Sequence, residues 1–418
     1  MSQKKYDIAV IGAGPGGYIA AIKLAQGGKK VCLVEKQFLG GTCLNVGCIP
    51  TKTLLSHADL LHRITHAAEF GIEISSIHLN YAKMKQRKDS VVEKMRKGLQ
   101  GLLQSNQITI LKGQAEFISS KELKITSKED CRIEAEQIII ATGSEPLDIL
   151  SLPCDHQLIC NSTSILELTE LPKTLVIVGG GYIGCEFASL FADLKVKVII
   201  LEALDSIVIN QGKSISEALT RAFQKKGIEI QTNVKVVGID KQESCLRIRL
   251  EGDKELFCDK ALIAIGRKLV SNGLGLEKIG VALDKKGAIV VNEKMQTNLD
   301  GIYAIGDVTG KNLLAHVASH QGVIAADTIL GKTVEMHYNA IPAVIFTNPE
   351  IAMVGMPCEE AEKAGFTPTI GKFPFQALGK AVASAETDGF TQIIIDKSTG
   401  QILGAQVVGS EASALIAE

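Results

Sequence analysis

The chain has no tryptophan, and aromatic residues make up only 4% of its 418 positions, so it has few bulky anchors. It also lacks a surplus of either charge: 45 Lys and Arg stand against 46 Asp and Glu, a formal charge of −1. With no positive excess to neutralise a phosphate backbone, the composition argues against nucleic acid as a partner. Long apolar runs are missing too. The best candidate, residues 8–22, carries no charge but is too short to span a bilayer and contains four glycines and a proline. A second candidate, 175–192, is interrupted by Glu186. No membrane segment and no leader are expected, and the expected location is cytoplasmic. Low-complexity linkers are also absent.

What is present is an ordinary globular composition, 46% apolar and 22% charged. At roughly 100–200 residues per domain the length suggests about two to four domains, which excludes a small disulfide-stapled scaffold. Glycine is in excess, at 40 residues. Ten cysteines in a chain of this kind are expected to be thiols, any disulfide being catalytic rather than structural.

One pattern occurs twice. Residues 7–11 form a short apolar run followed by Gly12-Ala13-Gly14-Pro15-Gly16-Gly17, an alanine-rich helical stretch, and a second run at 31–34 ending in Glu35. Residues 175–178 lead into Gly179-Gly180-Gly181-Tyr182-Ile183-Gly184, a helix through about Leu194, and a run at 196–201 ending in Glu202. The acid stands equally far from the first glycine in both copies. In such a βαβ unit the first glycine makes the tight turn, the second lets the backbone approach a pyrophosphate, and the third lets the helix pack close to the sheet. The pyrophosphate is expected on the helix N-terminus. Glu35 and Glu202 are placed to accept ribose hydroxyls. Ala203 and Leu204 follow Glu202, with no Arg or Lys to meet a 2′-phosphate, which favours NAD over NADP.

Cys43 and Cys48 follow the first unit and open a predicted helix that Pro50 interrupts. A helix N-terminus lowers a thiol pKa, and four intervening residues on a helical turn can bring two sulfurs within disulfide reach. Spacing alone leaves three readings open: a redox pair, a metal pair and two buried free thiols. No second Cys or His pair at ligand spacing accompanies it, which weighs against metal.

The run Gly40-Gly41-Thr42-Cys43-Leu44-Asn45-Val46-Gly47-Cys48-Ile49-Pro50-Thr51-Lys52, between two dinucleotide fingerprints, resembles the pyridine nucleotide:disulfide oxidoreductases. Within that family it is most similar to the members that oxidise dihydrolipoamide. The resemblance runs the length of the chain. Ala141-Thr142-Gly143 and Ala264-Ile265-Gly266-Arg267 resemble the segments that close the two nucleotide domains. Gly301-Ile302-Tyr303-Ala304-Ile305-Gly306-Asp307 resembles the third flavin motif, whose Asp binds the ribityl chain. Ala315-His316 and the stretch 341–355, with Thr347-Asn348-Pro349-Glu350, resemble the entry to the interface domain.

The resemblance implies an α/β protein with two Rossmann-like dinucleotide-binding domains, for FAD and NAD, and a C-terminal α+β dimerisation domain. The implied segments are FAD-binding 1–147, NAD-binding 148–270, a second FAD segment 271–338 and the interface domain 339–418. It implies a Cys43–Cys48 redox disulfide, with Cys43 exchanging with the substrate and Cys48 facing the flavin, and Lys52 near the flavin paired with Glu186. Implied FAD contacts are Gly12, Gly14, Gly17, Glu35, Lys36, Gly41, Thr42, Lys52, Gly113, Ala115, Thr142, Gly143, Asp307 and Ala315. Implied NAD contacts are Gly179, Gly181, Tyr182, Ile183, Gly184, Glu202, Val234 and Gly266. No metal is implied. The activity implied is reoxidation of protein-bound dihydrolipoamide with hydride passing from flavin to NAD, in a homodimer serving 2-oxo acid dehydrogenase complexes through the acyltransferase's lipoyl domain. A glutathione- or mercuric-type disulfide reductase is the alternative within the family. It is opposed by the missing NADP-type arginines and by the absence of an extra terminal cysteine pair. A flavin-bearing subunit without turnover is the alternative outside enzymes.

Three departures from the family pattern stand out. The family's interface domain ends in a His-Pro segment whose His serves as base, whereas no His follows His337 here, so the interface domain is expected to be incomplete at Glu418. Gln321 stands where an acid is usual, and Leu269-Val270 where Pro is expected. Elsewhere the reading is plain. Residues 81–104 are predicted to form an amphipathic helix whose Lys and Arg residues are a solvated face rather than a nucleic-acid stripe. Cys32 and Cys185 read as core thiols, Cys131, Cys154, Cys160, Cys245, Cys258 and Cys358 show no paired logic, and His57, His62 and His66 read as surface or core histidines. Residues 391–395 and 402–408 are predicted to pair as a hairpin across a turn at 397–400.

Overall fold

The computed structural model describes residues 4–417. They form two compact units, one from 4–50, 89–145 and 267–338, the other from 51–88, 146–266 and 339–417. The segment limits expected from sequence fall at 147/148, 270/271 and 338/339; those of the units fall at 145/146, 266/267 and 338/339, and residues 51–88 go with the second unit.

The first unit is built on β1 (Lys4–Ile11), α1 (Pro15–Gln26) and β2 (Val31–Glu35). All of 31–34 is buried, as an inner strand of a parallel sheet covered on both faces should be. Along the chain α2 (Gly41–Val46) follows in this unit, then α3 (Cys48–Thr65), which from residue 51 goes with the second unit, and α4 (Tyr81–Ser105), which returns to the first at residue 89. The sheet is completed by β3 (Thr109–Lys112), β4 (Gln114–Ser119), β5 (Glu122–Thr126) and β6 (Cys131–Ile140). Its order is β3-β2-β1-β6-β5-β4, with Ile302–Ala304 added parallel to β6. β3, β2, β1 and β6 run parallel, whereas β6, β5 and β4 meet antiparallel. The chain leaves β1 toward β2 on one side and returns to β6 on the other. The C-terminal end of β1 is therefore the switch point at which such sheets bind ligands, and the Gly12–Gly17 turn stands there. Its core joins Phe117, Ile138, Ile140 and Val34.

In the second unit Thr174–Val178, Tyr182–Asp193 (α5) and Lys197–Leu201 repeat the arrangement. These strands lie in a parallel five-stranded sheet with Glu229–Gln231 outside Lys197–Leu201 and Lys260–Ile263 beside Thr174–Val178. The switch point recurs at Gly179. A three-stranded antiparallel sheet packs into the same unit, and residues from 343 onward build a five-stranded antiparallel sheet. Phe187, Phe191, Leu190 and Phe223 fill the main core.

The predicted hairpin is Phe390–Asp396 paired antiparallel with Ile402–Val408. Two expectations are corrected. Pro50 does not interrupt the helix: the break is at Gly47, and Pro50 sits in the first turn of α3, where its missing N–H has no intrahelical partner to lose. The basic residues of α4 are not all solvated. Lys88 is 2% exposed and donates to Leu166 O at 3.0 Å and to Glu167 at 3.1 Å. No helix among the described residues is long and apolar enough to cross a membrane.

Candidate active site

The two glycine turns share one internal geometry. A Cβ at Gly12 would come within 2.3 Å of Ala141 O, and one at Gly179 within 2.4 Å of Ala264 O. One at Gly17 would lie 1.9 Å from Gly12 O, and one at Gly184 2.0 Å from Gly179 O. The first and third glycines are thus demanded by the fold itself. The middle pair differs: a Cβ at Gly14 or Gly181 meets nothing within 4 Å. Both residues are extended N-caps, at φ −72° and −73°, of helices with no side-chain cap. What the bare backbone leaves there is open space against uncapped helical N–H groups, the cradle an anionic pyrophosphate requires. The residues present fit the pyrophosphate of a dinucleotide at each turn.

The acids brace these turns as well. Glu35 accepts from Ala13 N at 2.8 Å and Gln37 N at 2.7 Å; Glu202 accepts from Gly180 N at 2.6 Å and Leu204 N at 2.8 Å. Each carboxylate therefore holds the middle of its own glycine turn. Its remaining lone pairs are available for ribose hydroxyls. Val234 N donates to Glu202 O at 2.9 Å, tying the next segment to the same acid.

Cys43 and Cys48 form a disulfide with Cα atoms 4.6 Å apart. Cys48 is the first residue of the 18-residue α3, where unsatisfied N–H groups favour negative charge. Thr42 and Gly41 open α2. Lys52 lies one helical turn after Cys48. Its Nζ donates to both oxygens of Glu186, at 3.0 and 2.9 Å, and sits 4.4 Å from the centre of the Phe346 ring. Phe346 N–H donates to Glu186 Oε1 at 3.0 Å, and Asn348 N–H to Ser189 Oγ at 2.9 Å. Glu186 is thus met by Lys52, the pairing the resemblance implied, and by the backbone amide of Phe346, which nothing in the sequence around it predicted.

Asp307 follows Gly306 in a turn after Ile302–Ala304. Ser144 Oγ donates to Asp307, and Arg267 donates to Ser144 Oγ and Ser144 O, both at 2.7 Å. Arg267, the last residue of the segment expected to close the second nucleotide domain, begins the 267–338 stretch of the first unit and reaches Asp307 through Ser144. Thr142 Oγ1 donates to Val270 O at 2.6 Å and Val270 N to Gly143 O at 3.0 Å, so the unusual 269–270 segment is held through its backbone. Gln321 is buried, accepts from Gly306 N at 2.6 Å and donates to Tyr338 Oη at 2.9 Å. A carboxylate could make both bonds, its second oxygen accepting the Tyr338 hydroxyl proton, so these contacts hold Gln321 in place without explaining an amide where an acid is usual.

The other expected contacts are scattered. Ala315 begins a helix, Ala315–Ile329. Gly113 N donates to Glu35 O at 2.9 Å. Ala115 is buried within β4, so only its backbone can serve a ligand. Lys36 is exposed just beyond β2, and Tyr182 and Ile183 form the first turn of α5. Gly266 closes its segment at φ +137°.

Burial disables several of the other thiols. It pushes Cys32, Cys154 and Cys258 up to about 12, and Cys185 further still. Such thiols are poor nucleophiles. Among the described residues no group of three His, Cys, Asp or Glu side chains could hold a metal ion.

Two family profiles match the chain: pyridine nucleotide-disulphide oxidoreductase over residues 6–322, and that family's dimerisation domain over 341–418. The dihydrolipoyl dehydrogenase of Chlamydia pneumoniae is 48% identical over 415 residues, covering 99% of this chain and 90% of the relative. That of Geobacillus stearothermophilus is 39% identical over 416 residues, covering 99% and 88%. Among solved structures, LpdA from Mycobacterium tuberculosis superposes with a TM-score of 0.93 at 26% identity, covering 99% of this chain and 92% of that one.

Proposed function

The chain belongs to the pyridine nucleotide-disulphide oxidoreductases, and from that premise we propose that it acts as a dihydrolipoyl dehydrogenase. The family implies FAD and NAD(P). When bound, these cofactors supply the two-electron relay that ends in a reduced nicotinamide. The observation that carries the proposal is the Cys43–Cys48 disulfide at the head of α3, one turn before Lys52.

The protein's own part is thiol–disulfide exchange. A thiolate of dihydrolipoamide attacks Cys43 Sγ, the Cys43–Cys48 bond breaks, and Cys48 leaves as a thiolate. The substrate's second sulfur then attacks the mixed disulfide and releases Cys43. One S–S bond is broken, one is formed, and two electrons and two protons have left the substrate. Lys52, held by Glu186, fixes positive charge one turn from Cys48. The glycine turns and their acids hold the nucleotides. NAD is favoured over NADP because the Glu202 carboxylate, followed by Ala203 and Leu204, would repel a 2′-phosphate. A homodimer is supported by the dimerisation-domain match, and a dihydrolipoyl substrate by the relatives' name.

Cys43→Ser and Cys48→Ser test the assignment. Each should lower dihydrolipoamide-dependent NAD reduction by about 10³-fold or more, whereas NADH oxidation by an artificial acceptor, which bypasses the disulfide, should persist. Dihydrolipoamide turnover within tenfold of wild type in either variant would overturn it.

A further inference from the structure

We propose that Arg96 is a positioning residue for the Cys43–Cys48 pair, acting through Asn45. Asn45 lies on α2 between the two cysteines. Its Nδ2 donates to Leu39 O at 2.9 Å and to Gly41 O at 2.8 Å, using both N–H groups. Its Oδ1 accepts from Arg96 Nε at 2.9 Å. Arg96 comes from α4, stacks over the Phe38 ring at 4.6 Å and donates to Glu93 at 3.0 Å.

The chemistry of the partners fixes the direction of the amide. Guanidinium only donates, so it claims the Asn45 oxygen and leaves both amide N–H groups to the loop carbonyls. That loop needs holding. Gly40 and Gly41 are left-handed, at φ +93° and +58°, and Gly40 N donates to Ala13 O at 2.8 Å. A Cβ on Gly41 would come within 2.6 Å of Gly14 Cα, so the loop is pressed against the first glycine turn. α2 itself has six residues and ends at Gly47, too short to be stable on its own backbone ladder. Its place is set by side-chain anchors, among them Arg96–Asn45.

The anchor matters most when the disulfide opens. The oxidised pair is held by its own bond. Once two electrons and two protons from a dithiol have turned it into two thiols, only the anchors of α2 keep Cys43 beside Cys48. Their proximity sets how readily the bond re-forms, so Arg96 favours the disulfide over the dithiol. This inference rests on the redox reading of the pair given above.

The test equilibrates the purified holoprotein anaerobically with dihydrolipoamide and lipoamide in graded ratios, quenches by alkylation, and counts modified Cys43 and Cys48 by peptide mass. Arg96→Met keeps the stem over Phe38 and removes the donor; Arg96→Lys keeps a donor and a charge. At a fixed buffer ratio the Met variant should shift the pair about fivefold toward the dithiol, with the Lys variant within about twofold of wild type. Asn45→Asp, which cannot donate to the loop carbonyls, should behave as the Met variant does. A Met variant indistinguishable from wild type overturns the proposal. A wild-type pair that fails to equilibrate with the buffer overturns instead the redox reading beneath it.

Discussion

Lys52 Nζ meets both carboxylate oxygens of Glu186, and the same carboxylate accepts the backbone N–H of Phe346. The three groups are far apart in sequence and each depends on the others. Glu186 is 6% exposed. Removing it strands a partly buried ammonium and a backbone donor at once. Glu186→Ala should therefore cost about 2–4 kcal/mol in stability, because both partners lose their acceptor. Glu186→Gln retains an acceptor for Phe346 N–H and should cost less. Urea unfolding of the two variants checks the order; equal losses would mean that the ion pair alone matters.

The glycine turns separate folding from binding. Gly179→Ala forces a methyl into Ala264 O at a left-handed position, φ +109°, and should destabilise by about 3 kcal/mol or more. Gly181→Ala meets no protein atom, so unfolding should move by less than about 0.5 kcal/mol. Its nucleotide affinity should nevertheless fall at least about tenfold, because the methyl enters the space a pyrophosphate needs. Thermal melts and NADH titration by fluorescence separate the two effects.

Asp307 is oriented by Ser144 and, through it, by Arg267. Arg267→Met should leave the Asp side chain less fixed and weaken FAD retention by about 10-fold or more, in line with the loss of charge-assisted hydrogen bonds. Flavin release on dilution reads this directly; unchanged retention would mean that Asp307 needs no brace.

Asp155 supplies a pH signature. Burial would raise its pKa, but Lys241 and the N–H groups of Gln157, Ile159 and Leu158 outweigh it and hold the carboxyl at about 2, against an ordinary 3.8. A carboxylate lowered in the folded state stabilises it fully above about pH 4, and that stabilisation is lost as pH falls through about 2. Asp155→Asn should cost about 1–2 kcal/mol near neutral pH, and the gap from wild type should close between about pH 4 and 2. A gap that does not change with pH would assign the effect to hydrogen bonding alone.

Much of this was legible in the residue order because it is local. Both βαβ units, their glycines and acids, and the hairpin at 390–408 depend on neighbours a few residues apart or on patterns of fixed spacing. Pro50 was misread because a proline in a first turn and one in a helix interior look alike until the helix start is known. What stayed hidden is carried by contacts between distant segments. Arg267 reaches Ser144 across 123 positions, Phe346 reaches Glu186 across 160, and Arg96 reaches Asn45 across 51. No spacing rule encodes such pairs. Gln321 departs from the family pattern, and its contact with Tyr338 is likewise one only the fold supplies.

The central claim is that electrons pass from dihydrolipoamide through Cys43–Cys48 to NAD. The direct measurement adds dihydrolipoamide anaerobically to the FAD-loaded protein, then NAD or NADP, and follows absorbance of the reduced nicotinamide. The account predicts catalytic NADH formation, little NADPH, and loss of both in Cys43→Ser. It is contradicted if dihydrolipoamide yields no NADH while NADPH reduces glutathione disulfide at a substantial rate.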